Sequence, residues 1–424
     1  MKKLLALVLA LAMVLSAVAC ASQPAATNQP SNDSQPAAAD QPSNEAKEPT
    51  KMTIALRAGA YAEAIKSSLP AFEAANNVTF DVLELSEDDL HSSIALDATN
   101  PKGTYDFVMA DASWMAEFAN AGVLADLGAL GYSFDEDIIP ATTAACVFDG
   151  KTYLAPYYGN VTVLMYNKAL VEAAGYKPED IKNLDDMMKI CKAAQDAGKK
   201  GFIYRGDTNN NLTVDFLSIL ASFGGWVVDE NQKPTVNTPE FKEAVQFYLD
   251  LIATGDAEKK DDLIASVEGG AGTMGIGWPG WYKAEFTGCD YTAITGVAHE
   301  GGKAYNANVY GTWLIGVPAN APDKELSVKL LAHLMDKDVQ KATIAVGGVP
   351  CRYSCLNDAE VLKDHPQFAV VCKALEGGVY RPIMKEWPQM YDIIGSELGA
   401  IINGVKTVDQ GLADAQTQLE GLFK

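Results

Sequence analysis

The chain has 424 residues, 48% hydrophobic and 21% charged, with 55 acidic side chains against 33 basic ones and a formal charge of −22. That length exceeds what one compact core accommodates and points to more than one folded unit. The acidic balance leaves no basic surface to neutralise phosphates and disfavours lying flat on an anionic bilayer, which argues against nucleic-acid and peripheral membrane binding.

In chain order, the first element is a leader. Lys2 and Lys3 open it, an almost unbroken apolar stretch follows over 4–18, and small residues, Ala17 and Ala19, stand just before Cys20. This is the build of a secretory signal over 1–19, with an apolar run too short to span a bilayer comfortably. No later run approaches the roughly 20 apolar residues of a membrane helix. Residues 20–50 read as a tether, with Gln-Pro pairs at 23, 29, 35 and 41 set among Ala, Ser, Asn and Asp. Such a segment buries too little apolar surface to offset the entropy of ordering. Extended by its prolines, it reaches up to about 90 Å at roughly 3.1 Å per residue.

From about Lys51 the pattern alternates. MTIALR at 52–57 reads as a strand, and Ile65, Leu69 and Phe72 follow at helical spacing. Val78, Phe80 and Val82 alternate with polar residues as a second strand, and DFVMA at 106–110 as a third. A helix carrying Trp114, Phe118 and Ala121 then stops near Gly122. Strand, helix, strand, helix implies an α/β fold with a mostly parallel sheet covered on both faces. The second half is richer in helix. Thr238 and Pro239 start one that buries Val245, Leu249 and Ile252, Asp323 starts another, and Thr407 with Gln410 forms a capping box for the last.

Beyond Cys20, six cysteines remain, scattered at 146, 191, 289, 351, 355 and 372. They suit free buried thiols or one incidental disulfide better than a disulfide framework or a zinc site. His91, His299, His333 and His365 stand alone, with no HExxH, no G-x-S-x-G elbow and no phosphate loop. A glycoside hydrolase would need a matched carboxylate pair, and no pair sits in a convincing loop constellation. No enzyme, metal or cofactor is expected.

Several blocks in fixed order carry a family resemblance: YDFVMADASWMAEFANAGVLADL at 105–127, KTYLAPYYGNVTVLMYNKALVEAAG at 151–175, PTVNTPEFKEAVQFYLDLI at 234–252, TMGIGWPGW at 273–281, GTWLIGVPANAPDKELSVKLLAHLM at 311–335, GGVPCRYSCL at 347–356, and the C-terminal stretch from 387. Together they resemble the extracellular solute-binding proteins of the maltose/maltodextrin-binding type, family 1, and Cys20 resembles the lipidated cysteine of the bacterial lipobox. The resemblance implies a two-lobed, type II periplasmic-binding-protein-like fold with a ligand cleft. It also implies a monomeric, lipid-anchored protein on the extracytoplasmic face that delivers solute to the membrane permease of an ABC importer. The lobes are expected at 51–156 with 279–313 and at 157–278 with 314–424, with crossings near residues 155–160, 274–279 and 313–318.

A sugar offers flat C–H faces and a rim of hydroxyls, so its site wants aromatic rings and planar polar groups. Asp111 and Trp114 follow a strand end, where open α/β sheets bind ligands. Tyr61 follows Gly59 in a loop that lets backbone approach closely. Tyr157, Tyr158 and Asn160 lie at the first expected crossing. Position 160 is a ligand-contacting place in the family, and Asn there in place of the carboxylate of maltodextrin binders points away from maltodextrin itself. Trp278 and Trp281 flank Pro279-Gly280, Trp226 follows a Gly pair, and Trp313 sits at the third expected crossing. Arg352 is a candidate clamp and Trp387 a weaker wall candidate. Five of the six tryptophans thus fall at expected cleft loops. A neutral mono- or oligosaccharide suits aromatic walls with few charges; a glycerophosphodiester or polyamine is the alternative on the same fold.

Overall fold

The computed structural model describes residues 48–281, 283, 285–294 and 307–424. The leader, Cys20, most of the tether and His299 lie outside the described residues.

The chain opens with strand β1 (Thr50–Arg57), helix α1 (Ala60–Asn76), β2 (Val78–Leu85), helix α2 (Glu87–Asp97) and β3 (Phe107–Asp111). A short hairpin, β4 (Val147–Phe148) and β5 (Lys151–Thr152), leads to β6 (Leu154–Tyr158). Next come β7 (Val163–Asn167), β8 (Lys200–Ile203), β9 (Gly272–Gly277) and β10 (Cys289–Thr292). The last strands are β11 (Val309–Tyr310), β12 (Trp313–Gly316) and β13 (Val379–Tyr380).

Two main sheets hold nine of these strands, while β4 pairs with β5 and β11 with β13. The first runs β2-β1-β3-β12-β6, with β1 parallel to β2 and β3, and β12 antiparallel to β3 and β6. The second runs β10-β7-β9-β8. Covered by helices, β1 buries Met52, Ile54, Ala55 and Leu56, and every residue of β3 is buried. Helix α1 turns Ala62, Ile65, Leu69 and Phe72 into that core. In the second half, the helix Asn209–Ser222 is buried on every side from Leu212 onward, between Pro239–Ile252 and Trp387–Ile402. Caps expected from the sequence are present: Thr238, Asp323 and Thr407 each accept a backbone N–H of the first turn of their helix. All six described cysteines are free and buried.

The expected lobe boundaries do not follow the sheets. β10, placed in the first lobe with 279–313, pairs with β7 in the second sheet. β12, whose last residues fell in the second lobe with 314–424, pairs with β3 and β6 in the first, and the helices Lys324–Leu334 and Lys337–Thr343 pack on α1. Nor does the chain cross at 274–279, since β9 is still paired with β7 at Gly277. It passes between the sheets at 159–162, again between β11 and β12, and a third time along the segment from Phe368–Glu376 to Trp387–Ile402, where β13 pairs with β11. Strand pairing overrides chain order here, and two-residue crossing strands carry no periodicity for a sequence pattern to catch.

Candidate functional site

Between the two sheets lies a cavity of ≈ 340 Å³, near the small end of the roughly 300–1,000 Å³ of ligand pockets. The first half contributes Arg57, Tyr61, Glu87, Asp111, Tyr158 and Trp313. Across from them stand Arg205, Asn210, Asn211, Lys260, Trp278 and Trp281, while the crossing segments supply Asn160, Gly311 and Arg381.

Local structure explains the first wall. Arg57 and Asp111 are the last residues of the parallel strands β1 and β3, so both project at the carboxyl edge of the sheet. Gly59 adopts φ 96° to turn the chain into α1 and offers no side-chain cap, which leaves the first-turn N–H groups beside Tyr61 open toward the cavity. Tyr61 packs edge-on to Tyr158 at 4.7 Å and tilts against Trp313 at 5.4 Å. Burial pushes its hydroxyl up to about 12, so it meets a ligand as a neutral donor.

Asp111 accepts the Ser113 N–H and hydroxyl and is gripped by Arg381, whose Nη2 lies 2.7 and 2.9 Å from the two carboxylate oxygens. Arg381 also donates to the Tyr310 carbonyl of β11, so the same side chain ties two crossings together and, through Asp111, fastens them to the first sheet. Burial opposes its charge, but Asp111 and Glu87 outweigh that and raise its pKa. Burial, reinforced by the nearby Asp111 charge, pushes the Glu87 carboxyl up to about 7 against the pull of Arg381 and Arg57.

The second wall is built from helix starts and turns. Arg205 follows β8 and binds Asp215 of the helix Asn209–Ser222 through two hydrogen bonds, of 2.9 and 2.5 Å. It donates a third to Asn211 at 2.7 Å. Burial holds the Asp215 carboxyl above its ordinary range despite this arginine. The Arg205 guanidinium lies 5.2 Å from the Trp281 ring, and the Lys260 ammonium 5.9 Å from it. Trp278 is fixed against the crossing strand, where a Cβ on Gly311 would come within 2.7 Å of its ring. Asn160 is 5% exposed, and its Oδ1 has no partner among the described residues.

Of the residues singled out from the sequence, Tyr61, Asp111, Tyr158, Asn160, Trp278, Trp281 and Trp313 meet at this cavity, and five others do not. Trp114 is buried behind the wall, its ring 5.6 Å from Trp313 and 5.0 Å from His91. Tyr157 points away because side chains alternate along β6, and its neighbour Tyr158 takes the cleft face. Trp226 and Trp387 pack in the second core. Arg352 is a structural knot, bound to Gln340, Asp135, Asp137 and the Met335 carbonyl. Three tryptophans, not five, therefore face the cavity. The sequence reading missed Arg57, Glu87, Arg205, Lys260 and Arg381. The strand-end rule applied to Asp111 would have found Arg57 and Arg205, while the other three sit on helix starts or the unforeseen third crossing. No group of three or more His, Cys, Asp or Glu among the described residues could hold a metal ion.

Comparison with known proteins places this geometry. A probable amino-acid ABC transporter periplasmic-binding protein of Sinorhizobium fredii is 24% identical over 385 residues, 86% of this chain and 88% of its own. The maltotriose-binding protein of Pyrococcus abyssi is 24% identical over 74% of this chain and 68% of its own. Among solved structures, the GacH receptor of Streptomyces glaucescens aligns over 89% of this chain and 99% of its own, with a TM-score of 0.76 and 21% identity. Maltose-bound MalE3 of T. maritima aligns over 88% and 100%, with a TM-score of 0.75 and 23% identity. A ribitol complex of a solute-binding protein from Agrobacterium radiobacter K84 aligns over 88% and 99% at 0.74 and 20% identity. These neighbours share the two-lobed architecture. The model of the bacterial extracellular solute-binding protein family matches residues 69–370, well over half of the sequence, and the chain belongs to that family.

Proposed function

We propose that the chain is the capture subunit of an ABC importer, held outside the cell membrane by a lipid on Cys20, and that as a monomer it takes one small carbohydrate, a sugar or sugar alcohol, into the cleft. The observation that carries this reading is the cavity itself, lined by three indoles, Tyr61 and Asn160, whose side-chain Oδ1 has no partner among the described residues. Flat C–H faces of a sugar stack on the rings, and a hydroxyl satisfies the buried Asn160 oxygen, which otherwise carries a desolvation cost. Both halves line the cavity, so a ligand contacts more of the protein when the halves close, and closure is stabilised by that difference. Release to the permease, not turnover, ends the cycle. The maltose, maltotriose and ribitol named for its relatives support a carbohydrate.

Thermal shift against monosaccharides, maltodextrins, sugar alcohols, amino acids and polyamines tests the ligand. A bound ligand at a hundredfold excess over its Kd adds about 2.7 kcal/mol, so sugars or sugar alcohols are expected to raise Tm by several degrees. A rise with amino acids or polyamines alone replaces the carbohydrate reading. Fatty-acid labelling of the chain in a bacterial host, abolished in Cys20→Ala, tests the anchor.

A further inference from the structure

Four cationic side chains line the cavity of a protein whose formal charge is −22, and among the described residues only two of them are held by a buried carboxylate. Arg381 is taken by Asp111, and Arg205 by Asp215 and Asn211. Arg57 has no carboxylate within ion-pair distance among the described residues. Its Nε is buried without a partner, and its Nη1 reaches only the Ala58 and Leu85 carbonyls, at 3.4 and 3.5 Å. Among the described residues, the one carboxylate within ion-pair distance of Lys260 is that of its own neighbour Asp261, at 4.0 Å, and that side chain is 93% exposed.

We infer that the ligand is an acidic carbohydrate, a sugar bearing a carboxylate or phosphate, whose anionic group is met by Arg57 from the first half and Lys260 from the second. The inference deepens the carbohydrate reading and rests on it. An anion beside Arg57 also faces the start of α1, a 17-residue helix whose Gly59 N-cap supplies no side-chain acceptor, so open N–H groups and the helix dipole add to the guanidinium. The guanidinium carbon of Arg57 lies 5.8 Å from the Trp313 ring, and Lys260 Nζ 5.9 Å from Trp281. Each unanswered cation therefore sits beside an indole, which places charge and a stacking face together, as an acidic sugar ring presents them. Glu87 and Asp111 are the carboxylates on the Arg57 side. Asp111 is committed to Arg381, and burial keeps Glu87 partly protonated near neutrality, so neither cancels Arg57. A neutral sugar would leave Arg57, whose Nε is already buried, without a counter-charge, which is costly, while Lys260, with its side chain 55% exposed, adds attraction from the open side of the cleft.

Calorimetric titration of the full chain with glucose and galactose, their uronic acids and their 6-phosphates decides the matter. At least one acid is expected to bind about 10-fold or more tighter than its neutral parent, with an advantage that shrinks between about 50 mM and about 500 mM salt. Whichever acid gains identifies carboxylate or phosphate as the group. Arg57→Gln and Lys260→Gln should each pull the acid-to-neutral affinity ratio toward one, while Lys363→Gln, exposed and away from the cavity, leaves the ratio unchanged. Circular dichroism and Tm of each ligand-free variant establish that it folds. Neutral parents binding as tightly as both acids overturn the inference and leave the carbohydrate reading standing. Failure of every sugar, neutral or acidic, overturns both.

Discussion

The two walls of the cleft are made differently, and the difference separates residues that build the fold from residues that hold a guest. On the first wall the functional groups are strand ends and aromatic rings wedged into one another: Trp114 backs Trp313, Trp313 backs Tyr61, and Tyr61 meets Tyr158. Asp111 there also fastens a crossing segment through Arg381. On the second wall, Lys260 begins the helix Lys260–Glu268, Asn210 and Asn211 lie in the first turn of another, and Trp281 ends a short turn after β9 with its ring partly open. Loss of a first-wall group should therefore cost stability and binding together, whereas an exposed group on the second wall should cost binding alone.

The sharpest way to break this contrast is Asp111→Ala. It strands the Arg381 guanidinium, 8% exposed, without its counter-charge, and removing one partner of a buried pair costs about 3–5 kcal/mol. Urea unfolding of the ligand-free protein should show that loss, and ligand response should vanish with it. A change below about 1 kcal/mol would mean that the first wall is not the structural one. Next in size is a matched pair of tryptophans. Trp313→Ala opens a void in the first core and should cost about 3–5 kcal/mol as well as binding. Trp281→Ala should weaken the ligand by about 10- to 100-fold, or 1.4–2.7 kcal/mol, with a Tm within a few degrees of the parent. Equal stability losses in the two variants would erase the distinction.

Arg352 shows why only part of the site was legible in the sequence. An arginine in a Gly- and Pro-rich loop reads as a clamp, yet its partners, Asp135 and Gln340, lie 217 and 12 residues before it in the chain, and no spacing announces such a meeting. Arg352→Met should cost about 2–3 kcal/mol through buried polar groups left unpaired, with ligand affinity unchanged by calorimetry. What was legible follows a period or a cap: the strand ending at Asp111, the buried face of α1, the capped helices at Thr238 and Thr407. Trp387 and Trp226 were misread for a related reason, since residue type alone does not say which side of a helix or turn faces the gap. The lobe boundaries failed where the chain crosses in two-residue strands that pair with segments about 70 residues away, Val309 with Val379.

The smallest expected effect concerns Glu87, the first-wall carboxylate that no pattern suggested. Burial, with the Asp111 charge beside it, raises its carboxyl to about 7 in the folded protein, whereas an unfolded glutamate titrates near about 4.3. Between those values the folded state holds a proton that the unfolded state has released, so stability falls as pH rises through this window and levels off above about 7. Glu87→Gln keeps the neutral shape and removes the titration. The variant and parent should match near pH 4 and diverge above it, the variant being more stable by about 1–3 kcal/mol at pH 8. Asp215 on the second wall is also held above its ordinary range by burial, but it titrates in both proteins, so the difference between their Tm curves isolates Glu87. Parallel curves across pH 4–8 would show that the first wall tolerates this charge, and would move the electrostatic strain of the cleft to the second.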